Sequence, residues 1–138
     1  MREFHVSMAF LSQGDRYHFQ KRVGPFISGA KDKIGCFGGQ IEEGESFEEA
    51  ASREVQEETG LHFLPHKFRY RGQVRVLSDR DGMEIRTKAE IFDVLMPQDT
   101  QIDAVHGELV TIPAADLKSA KYMKEYTPAT KAAVEKFF

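Results

Sequence analysis

The stretch Gly39–Leu61, GQIEEGESFEEAASREVQEETGL, decides how the rest of this chain is read. Ser46 followed three residues on by Glu49 forms an S-x-x-E capping box, so a helix starts at Phe47. Gly60 stands where a left-handed C-terminal cap is wanted, so the helix ends near Thr59. At about 100° per residue, Phe47, Ala50, Ala51 and Val55 share one arc, and Glu54, Glu57 and Glu58 fall on the same arc. Glu48, Glu49, Ser52 and Gln56 take the opposite side. An ordinary surface helix keeps its carboxylates off the apolar stripe. Here Glu54 neighbours Glu57 at i,i+3 and Glu58 at i,i+4, and each like-charge pair costs roughly 0.2–0.5 kcal/mol even when exposed. A hard divalent cation such as Mg²⁺ relieves that repulsion, because it takes carboxylate oxygens and suits a site shared with phosphates. The alternative is a solvated acidic face with no chemistry of its own.

The remainder of the chain narrows the setting. Its 138 residues suit a single domain over 1–138, large enough to bury about two-thirds of its unfolded surface. A formal net charge of −3 leaves no basic footprint, which argues against a duplex nucleic-acid partner. The one cysteine, Cys36, excludes an internal disulfide and reads as a small buried residue. The opening residues MREFHVSMAFLSQGDR lack the pattern of a secretory leader, and no stretch reaches membrane-spanning length. A cytoplasmic protein, monomeric or homodimeric, is the expectation.

Phe4 to Leu11 reads as a strand, closed by the turn at 12–15, with Tyr17 to Arg22 as its hairpin partner. Residues 24–33 read as a loop facing substrate, and Ile34 to Phe37 as a short strand delivering Gly38 and Gly39 to the helix. Lys67 to Leu77 and Glu84 to Leu95 form a long hairpin around the turn at 78–82. Leu109 to Ile112 is a short strand, and Pro113 is read as opening a helix through about Lys121. Thr127 caps a last helix with Pro128 at its first position, whose Ala129, Ala133 and Phe137 repeat at i+4 and turn one face to the sheet. Strands outnumber helices, which suggests a mixed sheet with helices on both faces, an α/β fold.

Gly39, Glu45, Arg53, Glu54, Val55, Glu57, Glu58, Gly60 and Leu61 occupy nine fixed positions of a 23-residue pattern. That pattern resembles the signature of the Nudix hydrolases, with no departure at any specified position. The resemblance implies an α/β/α sandwich with a mixed β-sheet. It also implies a hydrolase, dependent on Mg²⁺ or Mn²⁺, that cuts nucleoside diphosphates linked to another group. It carries metal-ligand roles to Glu54 and Glu58, and to Glu57 a role as ligand or as base, with the base open between Glu54, Glu57 and a glutamate outside the box. It also makes Arg53 the residue that orients the glutamates. The orienting role is favoured over the alternative, a surface pair of Arg53 with Glu49 at i,i+4. By the same resemblance Gly38 lends a carbonyl oxygen to the metal, beside Gly39, although Phe37 stands where relatives often have proline. Glu108, on a loop before a short strand, is the expected downstream ligand, ahead of Asp99 and Asp103.

Lys21 and Arg22 end their strand beside the loop and are candidates for the distal phosphate. Marks of the ADP-ribose, dinucleoside polyphosphate, NADH and coenzyme A subgroups are missing, so the chain is similar to the small MutT-type nucleoside triphosphate pyrophosphohydrolases. Thr130 stands where that group reads the base with asparagine. The competing reading is a Nudix-fold nucleotide-binding regulator or scaffold that holds a nucleotide without cutting it.

Overall fold

A computed structural model describes residues 2–21 and 32–138; Arg22 and most of the expected loop lie outside them. The described strands are β1 (Arg2–Gln13), β2 (Arg16–Lys21), β3 (Ile34–Gly35), β4 (Phe37–Gln40), β5 (Arg69–Arg80), β6 (Met83–Leu95) and β7 (Glu108–Pro113). The helices are α1 (Phe47–Thr59), α2 (Ala120–Met123) and α3 (Pro128–Phe137). All seven strands belong to one sheet, ordered β3-β2-β1-β6-β5, with β4 also paired to β1 and β7 to β2. The β1–β6 pair is parallel and the others are antiparallel, so the sheet is mixed.

Side chains of β1 alternate between two cores, as the pleat requires. Met8 and Phe10 join Phe19, Ile91 and Ile112 with Ala133 and Val134 of α3. Ala9 and Leu11 join Phe37 and Phe92 with Ala51 and Val55 of α1. One helix therefore covers each face, and the molecule is an α/β/α sandwich. Phe10, Phe19, Phe37 and Phe92 are fully buried, each worth roughly 1.5–3 kcal/mol.

The start and end of α1 follow its sequence signals. Ser46 Oγ accepts from Glu49 N at 3.1 Å, and Glu49 Oε1 accepts from Ser46 N at 2.8 Å. Gly60 closes the helix in the left-handed region, at φ 77°. Ser52 departs from its expected outward place: it is buried and donates to the Phe63 carbonyl at 2.6 Å, tying α1 to the chain that follows it. The β5–β6 ladder runs on to Arg80↔Met83, so the turn contracts to Asp81-Gly82, a two-residue connection of the kind that matches strand twist.

The helix expected from Pro113 to Lys121 is corrected. Pro113 is the last residue of β7, opposite Arg16, where its missing N–H costs the ladder nothing. A 3-10 turn at Ala114–Asp116 follows, anchored by the bond from Ala114 N to the Asp15 carbonyl at 2.8 Å and by buried Leu117. Only then does the short α2 begin, after Ser119. Among the described residues no helix is long and apolar enough to cross a membrane.

Candidate active site

The last turns of α1 lie against β4, and two close approaches define the junction. Glu58 Oε1 accepts a hydrogen bond from Gly38 N at 2.8 Å. A Cβ placed on Gly39 would stand 2.5 Å from the carboxyl carbon of Glu54, so only glycine lets that carboxylate rest against the strand. A Cβ on Gly38 would collide with the Ser7 carbonyl of β1. The two glycines thus let β4 sit between β1 and the glutamates of the helix.

Arg53 organises the acids. Its Nε and Nη2 grip Glu45 at 2.6 and 3.0 Å, its Nη1 reaches Glu54 at 2.9 Å and Glu57 at 3.3 Å, and Nη2 also donates to the Gln40 carbonyl at 3.0 Å. The pairing with Glu49 is not made, because Glu49 is occupied in the capping box. Glu45 in turn accepts from Glu42 N at 2.8 Å, so it closes the turn before the helix and holds Arg53 at once. The hydrogen bond from Arg53 outweighs desolvation and keeps the Glu45 carboxyl below its ordinary value. Arg53 itself is pushed still higher than usual, above all by its bond to Glu45.

The three box glutamates differ in setting. The Glu54 side chain is 15% exposed, and burial pushes its carboxyl above the ordinary value of 4.5. Arg53 pulls it back, while the charges of Glu57 and Glu45 push it up again. Glu57 is 58% exposed and stands outside. The expected crowding is therefore centred on Glu54, and Glu58 is engaged with the strand. Among the described residues no three His, Cys, Asp or Glu side chains are gathered as they would be around an ion. The donor chemistry nevertheless fits a hard cation: Glu54, raised first by burial and then by the charges of Glu57 and Glu45, and Glu58, turned against the same strand, offer carboxylate oxygens.

On the α3 side of the same strand lies a cavity of about 380 Å³. Phe4, Val6 and Met8 of β1 form its apolar wall, Gly38 and Gly39 its edge toward the carboxylates, and Thr127 and Thr130 its boundary at the start of α3. Thr130 is fully buried, and its hydroxyl accepts from Cys36 N at 3.1 Å and from Thr127 Oγ1 at 2.9 Å. Its polar atom thus fastens α3 to the strand. Burial pushes the Cys36 thiol up and keeps it unreactive. Lys21 ends β2 opposite Glu108, which is exposed at the first position of β7. The structure thus brings Glu54, Glu57, Glu58, Arg53, Gly38 and Gly39 together, and places Lys21 and Glu108 as a rung of their own.

One polar cluster has no counterpart in the sequence reading. Glu90 of β6 is fully buried and accepts from Tyr70 Oη at 2.7 Å and Gln73 Nε2 at 2.8 Å, with His5 Nε2 at 2.6 Å. Burial raises its carboxyl, yet the His5, Tyr70 and Gln73 bonds prevail and hold it below the ordinary value. An acid inside the apolar run Ala89-Glu90-Ile91-Phe92 was the available signal.

A mixed sheet between two helices, with a glutamate-bearing helix clamped by one arginine to a glycine strand, defines an α/β/α sandwich with an acidic helix at its junction. The chain belongs to the Nudix family: the NUDIX domain matches residues 1–132. Its structure is similar to a MutT protein from Methanosarcina mazei Go1 at TM-score 0.74 and 18% identity, covering 99% of this chain and 93% of that one. It is similar to the E. coli dihydroneopterin triphosphate pyrophosphohydrolase at TM-score 0.66 and 19% identity, over 99% and 97%. A bifunctional NMN adenylyltransferase/ADP ribose pyrophosphatase from Francisella tularensis, complexed with AMP and a Mn ion, aligns at TM-score 0.62 and 15% identity, over 96% and 40%. No curated protein sequence matches this chain.

Proposed function

We propose that this chain is a divalent-metal-dependent nucleotide pyrophosphohydrolase of (d)NTP type, acting in the cytoplasm. The observation that carries the reading is the junction at β4, where one strand has Glu54 and Glu58 packed on it and also borders a cavity of nucleoside size. Glu54, Glu57, Glu58 and the Gly38 carbonyl would hold Mg²⁺ or Mn²⁺, with Glu108 as a further ligand. When bound, the cation neutralises phosphate oxygens and makes water a better nucleophile.

The chain's own residues supply the rest. Arg53 fixes Glu54 in one orientation, which is where a fork of donors outperforms an ammonium. One glutamate, Glu54, Glu57 or one outside the helix, would accept a proton as water adds to phosphorus and the bridging P–O bond breaks. The apolar wall of Phe4, Val6 and Met8 takes the base, and Lys21 at the end of β2 would meet the distal phosphate. With the Thr130 hydroxyl engaged by Cys36, the base is selected by shape more than by a hydrogen bond at that position.

The deciding experiment is turnover of a nucleoside triphosphate panel with Mg²⁺, following release of monophosphate and pyrophosphate. The wild type turns over at least one member, and Glu54→Gln and Glu58→Gln lower kcat by about 10²–10³-fold with the fold intact. Nucleotide binding by the wild type without turnover of any member would leave a binding module instead.

A further inference from the structure

The α1 side of the sheet carries a second groove, which α1 leaves open and the proposed reaction does not use. Glu3 and His5 of β1, Arg86 and Lys88 of β6, and Arg75 and Leu77 of β5 line it. Register places His5 opposite Lys88 and Lys88 opposite Arg75, so two cations, Lys88 and Arg75, face one another across β6 and β5. Like charges directly opposite one another destabilise a sheet. Arg86 in the next row faces Glu3 and lies 3.8 Å from Glu84, and His5 is held by the buried Glu90 at 2.6 Å, so both are balanced, whereas among the described residues no ion pair answers Lys88 or Arg75.

Two further observations lie on the same face. Tyr70 is 47% exposed and Leu77 64%, and Phe47, 37% exposed, stacks edge-on against His5 with ring centroids 5.2 Å apart. These are three of the seven large apolar side chains exposed among the described residues. Glu48 stands in the first turn of α1 and its charge is felt at Tyr70, so one acid free of the capping box borders Lys88 and Arg75 across that tyrosine. Acid beside base repels an extended polyanion such as RNA, in a chain that is already net negative. A surface holding both signs and exposed apolar groups is complementary to its own copy turned by a two-fold axis.

We propose that this face is the contact surface of a symmetric homodimer. Lys88 and Arg75 of one protomer meet Glu48 of the partner, with Tyr70 and Leu77 packed between the two contacts. The surface is separate from the nucleotide cavity, so the proposal stands whatever the chain hydrolyses.

Sedimentation equilibrium of the full chain over the micromolar range, at low and at high salt, tests it. The wild type gives the mass of two chains at low salt, and dissociates as salt screens the contacts. Arg75→Glu alone and Glu48→Arg alone each weaken the dimer about tenfold or more, and the doubly reversed protein regains it. Leu77→Asp also separates the protomers, whereas Leu95→Asp, exposed elsewhere, leaves the mass unchanged. Melting curves confirm that every variant is folded. A wild type of single-chain mass throughout would overturn the proposal, as would a dimer indifferent to the reversals. Monomers that retain single-stranded RNA through Arg75 and Lys88 would overturn it in favour of a polyanion.

Discussion

Arg53 has four carboxylates and one carbonyl around its guanidinium, and that density makes it the residue whose loss reads out most selectively. Lysine keeps the charge but cannot grip Glu45 with two donors while reaching Glu54 with a third. Arg53→Lys is expected to lower kcat by about tenfold to a hundredfold with little change in KM, measured in steady-state kinetics. Glu54 offers a test without substrate. Its carboxyl is raised in the folded protein, so its contribution to stability is present below the ordinary value of 4.5 and is lost as pH rises through the folded value. Glu54→Gln therefore melts at the same temperature as the wild type or higher at neutral pH in EDTA, and the gap closes on acidification. Adding Mg²⁺ reverses the order, because the wild type gains about 2.7 kcal/mol at a hundredfold excess over Kd and the variant gains little. A variant that melts below the wild type in EDTA at neutral pH would show that Glu54 stores no repulsion. The glutamates themselves were legible from their spacing, but their division of labour was not. Periodicity put Glu57 on the arc with Glu54 and Glu58, and only the contact with β4 distinguishes the two that turn inward.

At the level of elements, legibility followed local chemistry. The capping box and Gly60 marked both ends of α1, because caps are made within a few residues of one another. Pro113 misled, because a proline suits the end of an edge ladder as well as the start of a helix, and its partner Arg16 lies far away in sequence. Glu90 was illegible for the same reason. The residues that satisfy it come from β1 and β5, so an acid in an apolar strand had no visible partner. Glu90→Leu leaves His5, Tyr70 and Gln73 without their shared acceptor, and is expected to cost about 3 kcal/mol in urea unfolding at neutral pH. Because the folded Glu90 carboxyl lies below its ordinary value, its stabilisation is present above 4.5 and fades as pH falls through the folded value. The penalty of the variant should shrink in acid, opposite in sign to the Glu54 effect. An unfolding difference that stays constant with pH would contradict an ionised Glu90.

Across the whole molecule, the site is assembled from both layers. Carboxylates come from α1 over one face, the cavity is bounded by α3 on the other, and β4 joins them. Cation binding should therefore slow amide exchange in the core strands and in α3 as well as in α1, by a common increment. Protection confined to α1 would mean that its carboxylates bind the ion as an independent unit. The parallel ladder at the centre of the sheet has a different kind of consequence. Arg2 pairs with Ile85 and Ser12 with Leu95, a separation of 85 − 2 = 83 residues maintained over the whole run. Such distant contacts form slowly. On the ribosome, the first strand must leave the exit tunnel and wait until most of the chain has been translated before its permanent neighbour exists. During that interval β2 and β4 can shelter only one edge of the apolar segment Met8–Leu11. The other edge stays open to chaperones or to neighbouring nascent chains until β6 has been made.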